Sequence, residues 1–426
     1  MHCFLRRGRL PARGQSLCFF LFLTSLTMMA GVAWGASSYE VPKDRRASEV
    51  LPANQISGPH YRVLEQVVAD GYMFRFTVDS DYGTFPVGGL YGLRKLLREI
   101  QAIAALREVR KGQAVLEGAR DKGRETVEFA ANLLVDPAGT VASIPQGVGK
   151  LFGNIAAGLQ NPNDPRRDTM AQDLLKVSDA KRKIACDLGV DVYSSNRVLQ
   201  DELDNVGRAQ ALGALGASVA IPYGGGTAVG LSTMSRTSGD VQRLLRDEPP
   251  TSLRNINAQK LLAMGVDRDL TERFLNHAVF SPRHDTVIVA CLDRLAGARG
   301  REAFIRFALA ADDEESANFF QNMAEILKYY HETVSPIREI AVPGVLCARA
   351  ANDAVLIPFP LDYGVWSLRA QRVVGETLTR QRQGSRRPAK TELWVTGTLS
   401  PLAREQLQAQ GITVLENVHR RVPLMD

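Results

Sequence analysis

The stretch TELWVTGTLSPLAREQLQAQGITVL, Thr391 to Leu415, decides how the C-terminal part of this 426-residue chain is read. Thr391 to Thr396 is apolar and β-branched, the composition of a strand. Ser400 and Pro401 then supply a helix N-cap and a proline at the first helical position. Leu402, Ala403 and Leu407 make the apolar stripe of that helix, and Gly411 stops it. Ile412 to Leu415 is strand again. Strand, helix and strand in this order make a βαβ unit, whose strands run parallel because the helix carries the chain back to the same end.

Upstream, Val345-Leu346-Cys347 and Ala354 to Ile357 flank Asn352-Asp353 and predict a hairpin. Trp366 to Arg380 has helix periodicity. Residues 341–426 therefore read as a small α/β domain of the form hairpin-α-β-α-β.

The middle, 166–340, reads as helix after helix. Residues 168–188 end at Gly189, and 197–221 follow Ser194-Ser195-Asn196. Ser238 is positioned to cap a helix to Arg246, and 252–264 end at Gly265. Asp269-x-x-Glu272 has the spacing of a capping box. Ser281-Pro282 opens a helix predicted to reach Gly297, and Arg301–Ala311 and Asp312–Thr333 follow. In the last of these, Ala317, Phe320, Met323, Ala324, Leu327 and Tyr330 share one face. No residue signature repeats at a fixed period, so a solenoid is not indicated.

Residues 61–160 begin with β patterning. Tyr72, Phe74, Phe76 and Val78 alternate after the turn signal Asp70-Gly71. Pro86 marks a third, edge strand. A long helix follows, with Leu93, Leu96, Leu97, Ile100, Ile103, Ala104 and Leu106 on its apolar face. Arg94, Lys95, Arg98, Arg107 and Glu108 fall on the opposite face. Asp136-Pro137 ends it, and the Gly-rich segment Ala138–Leu159 runs to the break at 161–165. The fold class expected is mixed and mainly α: a central multi-helix domain, a small N-terminal β-hairpin or meander, and the C-terminal α/β unit.

Arg6, Arg7, Arg9 and Arg13 precede the apolar run Leu17–Val32, and Ala33-Trp34-Gly35 supplies small residues before Ala36. This is the layout of a secretory signal peptide, 1–35, which places the mature protein in the periplasm or outside the cell. The alternative is an N-terminal anchor, for which the run is near the lower length limit of roughly 17 residues. Residues 36–60 read as an extended lead-in. Four of the six net positive charges lie in the leader, leaving +2 for the rest. The remaining charge gives no footprint for nucleic acid. Cys186, Cys291 and Cys347 remain after the leader. Three is not a disulfide framework, and the three are read as buried reduced thiols.

One further stretch, ALGALGASVAIPYGGGTAVGLSTMS (Ala211–Ser235), carries no charge. It is long enough to raise a membrane reading but is interrupted by Pro222-Tyr223-Gly224-Gly225-Gly226. Ala209, Gly213, Gly216, Ala217 and Ala220 recur at helical spacing, the pattern of a close helix–helix contact. Gly224 to Gly230 contains G-x-G-x-x-x-G, yet no acid follows at the distance a dinucleotide fold requires.

No cofactor motif and no metal-ligand pattern is present. His277, His284 and Cys291 are seven apart, too far along one helix to share an ion, and a Pro intervenes. Ser281, His284 and Asp285 invite a hydrolase reading, but a cap, a first-turn proline and an acid near the helix N-terminus account for the same residues. Arg380, Arg382, Arg386, Arg387 and Lys390 form a basic segment suited to anion or lipid contact. The chain therefore reads as an exported envelope protein acting by binding or structural contact. Its partner would be an envelope protein or a lipid surface, not nucleic acid. The alternatives are a membrane-active protein inserting its Gly-rich segments, and a hydrolase without a recognisable motif.

Overall fold

The computed structural model describes residues 39–122, 179–211, 236–342, 344–383 and 388–425. The fold is mixed and mainly α. The first sheet contains β1 (Tyr61–Val63), β2 (Gln66–Ala69), β3 (Phe74–Ser80) and β4 (Gly83–Gly88). β3 is central, pairing antiparallel with β1 and β2 along one side and with β4 along the other. Two-residue strands at Arg45–Arg46 and Ser57–Gly58 extend it, so the lead-in already carries short elements. Phe74, Phe76 and Val78 are buried while Arg75 and Asp79 are exposed, the period of two that a one-sided sheet imposes. Gly71, at φ +95°, turns the chain between β2 and β3.

The long helix α1 (Gly89–Lys122) lays Leu93, Leu96, Leu97, Ile100, Ile103 and Leu106 into a core shared with that sheet and with α2 (Arg197–Ala211). Lys95 departs from expectation. Placed on the solvent face by periodicity, it is only 8% exposed, because carboxylates of other elements surround it.

The helical centre consists of α3 (Arg236–Asp247), α4 (Pro250–Ala263), α5 (Arg268–Leu275), α6 (Pro282–Asp293), α7 (Arg301–Ala308) and α8 (Glu314–Thr333). All residues from Arg283 to Leu292 of α6 are buried, so this helix is enclosed on every side. Ala317, Phe320, Met323, Ala324, Leu327 and Tyr330 of α8 pack into the same core. Several boundaries differ from those expected. Ser238 lies inside α3, which is already helical at Arg236. α5 is capped by Asp267, whose carboxylate accepts from Leu270 N at 2.8 Å, two residues before Asp269. α6 ends at Asp293, short of Gly297.

The second sheet holds β5 (Ile337–Ala341), β6 (Cys347–Ala350), β7 (Ala354–Phe359), β8 (Lys390–Val395) and β9 (Ile412–Leu415). Their spatial order is β9-β8-β7-β6-β5. β7, β8 and β9 run parallel, and β6 and β5 continue antiparallel. β7 and β8 are joined through α9 (Leu368–Gln383), β8 and β9 through α10 (Pro401–Ala409). The sheet is buried on both faces, as parallel sheets require. Leu356 and Trp394 face the helical core, where Trp394 meets Tyr330 edge-on at 5.2 Å. Val395 and Ile412 face α9 and α10.

Cys186, Cys291 and Cys347 are all free thiols; the last two are buried, but Cys186 is exposed, against expectation. Among the described residues no helix is long and apolar enough to cross a membrane. The Gly-rich segment 138–159, the glycine motif 224–230 and the small-residue pattern beyond Ala211 lie outside the described residues.

Candidate functional site

The three parallel strands end on one side of their sheet. Residues 360–363 follow β7, 396–398 follow β8 and 416–419 follow β9. Ligands of open α/β sheets bind beyond these carboxyl ends. Here the loops line a cleft of about 420 Å³, inside the roughly 300–1,000 Å³ typical of small-molecule sites. Its other walls are Gly88 at the end of β4, the start of α1, with Gly89, Gly92 and Arg94, and one face of α8.

Main-chain bonds lace the loops together. Thr398 N donates to Asp362 O at 3.0 Å, and Asn417 N donates to Gly397 O at 2.8 Å. A Cβ on Gly397 would lie 1.9 Å from Asp362 O, so this approach admits only glycine. Asn417 has φ +55°, a left-handed conformation that Asn tolerates better than most residues.

On α8, Glu315, Asn318, Phe319 and Asn322 recur at spacings of three and four and so share the cleft face. Asn318 is held from behind. His284 Nδ1 lies 3.2 Å from Ser281 N, which can only donate, so Nδ1 carries the lone pair. Nε2 therefore carries the proton and donates to Asn318 Oδ1 at 3.0 Å. This leaves the Asn318 NH₂ on the cleft side. Asn322, one turn further on, is 5% exposed, and its Oδ1 has no hydrogen-bond partner. The cleft floor thus offers a donor and an acceptor side by side.

Asp362 closes one wall. Its Oδ2 accepts from Phe74 N and Leu90 N, both at 3.0 Å, and so ties the first sheet and the start of α1 to the second sheet. Burial pushes its carboxyl up to about 6, although the two N–H groups and Arg94 favour the anion. Arg45 stacks over the Tyr363 ring at 5.0 Å. The acids Glu49 and Glu315 are already matched, by Arg46 at 2.9 Å and Arg75 at 3.4 Å. His419 Nδ1 donates to Thr396 O at 2.5 Å.

A wider groove of about 870 Å³ shares Gly88, Gly92, Glu315 and Asn318 with the cleft. It exposes part of a buried ionic cluster. Lys95 Nζ lies 2.5 Å from Glu314, 3.8 Å from Asp191 and 3.9 Å from Glu99. One cation faces three carboxylates, and hydroxyls and amides supply the rest. Ser194 and Asn196 donate to Glu99 at 2.6 and 3.1 Å, Tyr193 N donates to Asp191 at 2.9 Å, and Ser195 donates to Glu314. Burial lifts the Glu99 carboxyl, whereas the Lys95 charge holds Asp191 and Glu314 below their ordinary values despite burial. The chain's last described residues close the base. Met425 O accepts from Tyr91 Oη and Arg283 Nη2, each at 2.7 Å, and from Gln321 Nε2 at 3.0 Å.

Ser281, His284 and Asp285 do not converge on this cleft. Ser281 caps α6 and accepts from His284 N, His284 is turned toward Asn318, and Asp285 is buried with its carboxyl pushed strongly up. His277 packs against Phe280 at 5.2 Å, and Cys291 is buried in α6. Of the basic segment, Arg380 is exposed on α9, and Lys390 is exposed and paired with Glu392 at 2.5 Å. Arg386 and Arg387, and the side chain of Arg382, lie outside the described residues. No family model matches this chain, and no curated protein or solved structure matches it either.

Proposed function

We propose that the chain is an exported protein that binds a small polar molecule in the cleft at the carboxyl ends of β7, β8 and β9. The observation that carries this is the Asn318–Asn322 pair: a fixed NH₂ donor beside a buried acceptor that lacks a partner. An unpaired buried acceptor costs about 1–3 kcal/mol, and a ligand presenting an adjacent donor and acceptor, such as a carboxamide or a hydroxyl, removes that cost. Arg45 and Arg94 favour a ligand that is neutral or carries negative charge. Binding is favoured over acyl transfer because no hydroxyl or thiol paired with a general base lines the cleft among the described residues. The architecture that goes with this reading is a helical centre flanked by a small β unit and an α/β unit, with the cleft where they meet. Export rests on the leader and the small-residue site before Ala36.

The test is a thermal-shift screen of the mature protein against carboxamides, polyols and their anionic derivatives. A ligand at 100 times its Kd raises stability by about 2.7 kcal/mol. Asn322→Leu should abolish the shift while the variant stays folded. A screen without hits, or hits unaffected by Asn322→Leu, would refute the reading.

A further inference from the structure

On the far side of the second sheet, α9 does not close down fully on the strands. Its inner face offers short side chains, Ala370, Val373, Val374 and Thr377, and leaves an apolar crevice of about 100 Å³ above Ile357 and Leu393. An apolar cavity of roughly 150 Å³ stays dry and takes a benzene-sized guest. This smaller space suits a segment of aliphatic chain.

Two further observations define the rest of the guest. Trp366 lines the crevice and is 2% exposed, yet its Nε1–H has no hydrogen-bond partner. A buried indole N–H ordinarily finds an acceptor. Arg369 and Arg372, on the first turns of α9 just after Trp366, are exposed and form no ion pair among the described residues. Leu368 beside them is 53% exposed.

We propose that this crevice binds a single-chain acyl carboxylate, its aliphatic segment lodged between α9 and the sheet and its carboxylate accepting from Trp366 Nε1 near Arg369 at the start of α9. Apolar surface alone would accept any hydrocarbon. The buried donor and the unpaired Arg369 select one that ends in an anion. The site adjoins the polar cleft at Leu361 but does not depend on the reading given to the cleft.

The test is calorimetric titration of the mature protein with hexanoate, octanoate and decanoate below their aggregation limits. Binding should be one to one, tightening about fourfold per added methylene until the crevice is full. 1-Decanol, with the same chain and no charge, should bind at least ~10-fold more weakly, the lower range for a charge-assisted hydrogen bond. Ala370→Phe should fill the crevice and abolish binding. Trp366→Phe, which keeps an aromatic ring and removes the donor, should weaken decanoate ~10-fold with the circular dichroism unchanged. Equal affinity for decanol and decanoate would overturn the proposal, as would binding retained in a folded Trp366→Phe. Failure of every carboxylate, with the protein instead sedimenting on phosphatidylglycerol vesicles, would overturn it in favour of a membrane-surface contact.

Discussion

His284 Nε2 donates to Asn318 Oδ1 across 3.0 Å, and this bond decides which end of the Asn318 amide faces the cleft. Protonation of His284 would fall on Nδ1, which accepts from Ser281 N, and would leave the Nε2–H donor in place. Burial lowers its pKa from the ordinary value, so between the lowered folded value and about 6.5 the unfolded chain binds the proton more readily than the folded one. Its contribution to stability is present above about 6.5 and is lost as pH falls through the folded value. In His284→Phe this acid-side loss should disappear, and affinity for any cleft ligand should fall because Asn318 is free to flip. Melting temperature against pH for both proteins checks it. An unchanged acid limb would show that His284 is not the titrating group.

Asp362 contributes with the opposite sign. Its carboxyl sits at about 6 in the folded protein against about 3.9 when unfolded. Between these values the folded state holds a proton that the unfolded chain has released, so stability falls as pH rises from about 4 to 6. A difference of about two pKa units corresponds to about 3 kcal/mol. Asp362→Asn should flatten that limb while Phe74 N and Leu90 N keep an amide oxygen to donate to. Urea denaturation at pH 4 and pH 7 measures the difference directly, and an undiminished slope in the variant would be contrary to expectation.

Lys95 Nζ lies within 4 Å of Glu99, Asp191 and Glu314. Breaking a buried pair by removing one partner costs about 3–5 kcal/mol, because it leaves uncompensated charge. Lys95→Met should therefore destabilise strongly at pH 7 and progressively less toward pH 4, as the carboxylates take up protons. A loss independent of pH would mean that packing, not charge, is what Lys95 provides.

How legible all this was depends on the range of the signal. Ser281 and Ser400 as caps, Gly411 as a stop and the alternation of Phe74, Phe76 and Val78 are local, and each can be read from a few neighbouring residues. β5 could not be: its IREIA segment is short, half polar, and a strand because β6 and the distant Arg299 lie beside it. Lys95 and Glu99 look like a surface i, i+4 pair, and nothing near them announces Asp191 or Glu314. Asn318 and Asn322 interrupt the apolar character of α8 and were the available hint of the cleft. Asp362 had another, since it follows the apolar run of β7 at the end where ligands bind.

Cys186 offers a direct check on the one cysteine whose environment differs from expectation. It is exposed, whereas Cys291 and Cys347 are buried. Burial raises the pKa of all three thiols, Cys291 especially. Maleimide labelling of the native mature protein at pH 8 should add one group, located at Cys186 by peptide mass spectrometry, with the other two reacting only after denaturation. Three rapid additions to the native protein would contradict the packing of α6 and β6.

Two glycines at the cleft separate steric effects by what they would strike. A Cβ on Gly88 would meet the Glu315 carboxylate, the end of a side chain that can swing away. A Cβ on Gly397 would meet the main-chain oxygens of Asp362 and Leu361 at 1.9 and 2.6 Å. Those oxygens cannot yield alone, since Asp362 O accepts from Thr398 N and the Leu361 carbonyl accepts from Thr396 Oγ1 at 2.7 Å. Gly397→Ala should therefore push the 360–363 loop away from the 396–398 loop. The cost should be at least the ~1–3 kcal/mol of an overpacked core, with the Asp362 carboxylate pulled off Phe74 and Leu90. Gly88→Ala should cost about 1 kcal/mol or less. Thermal melts of the two variants test the order. If Gly88→Ala were the more damaging, the strand-end loops would be less tightly laced than their hydrogen bonds imply.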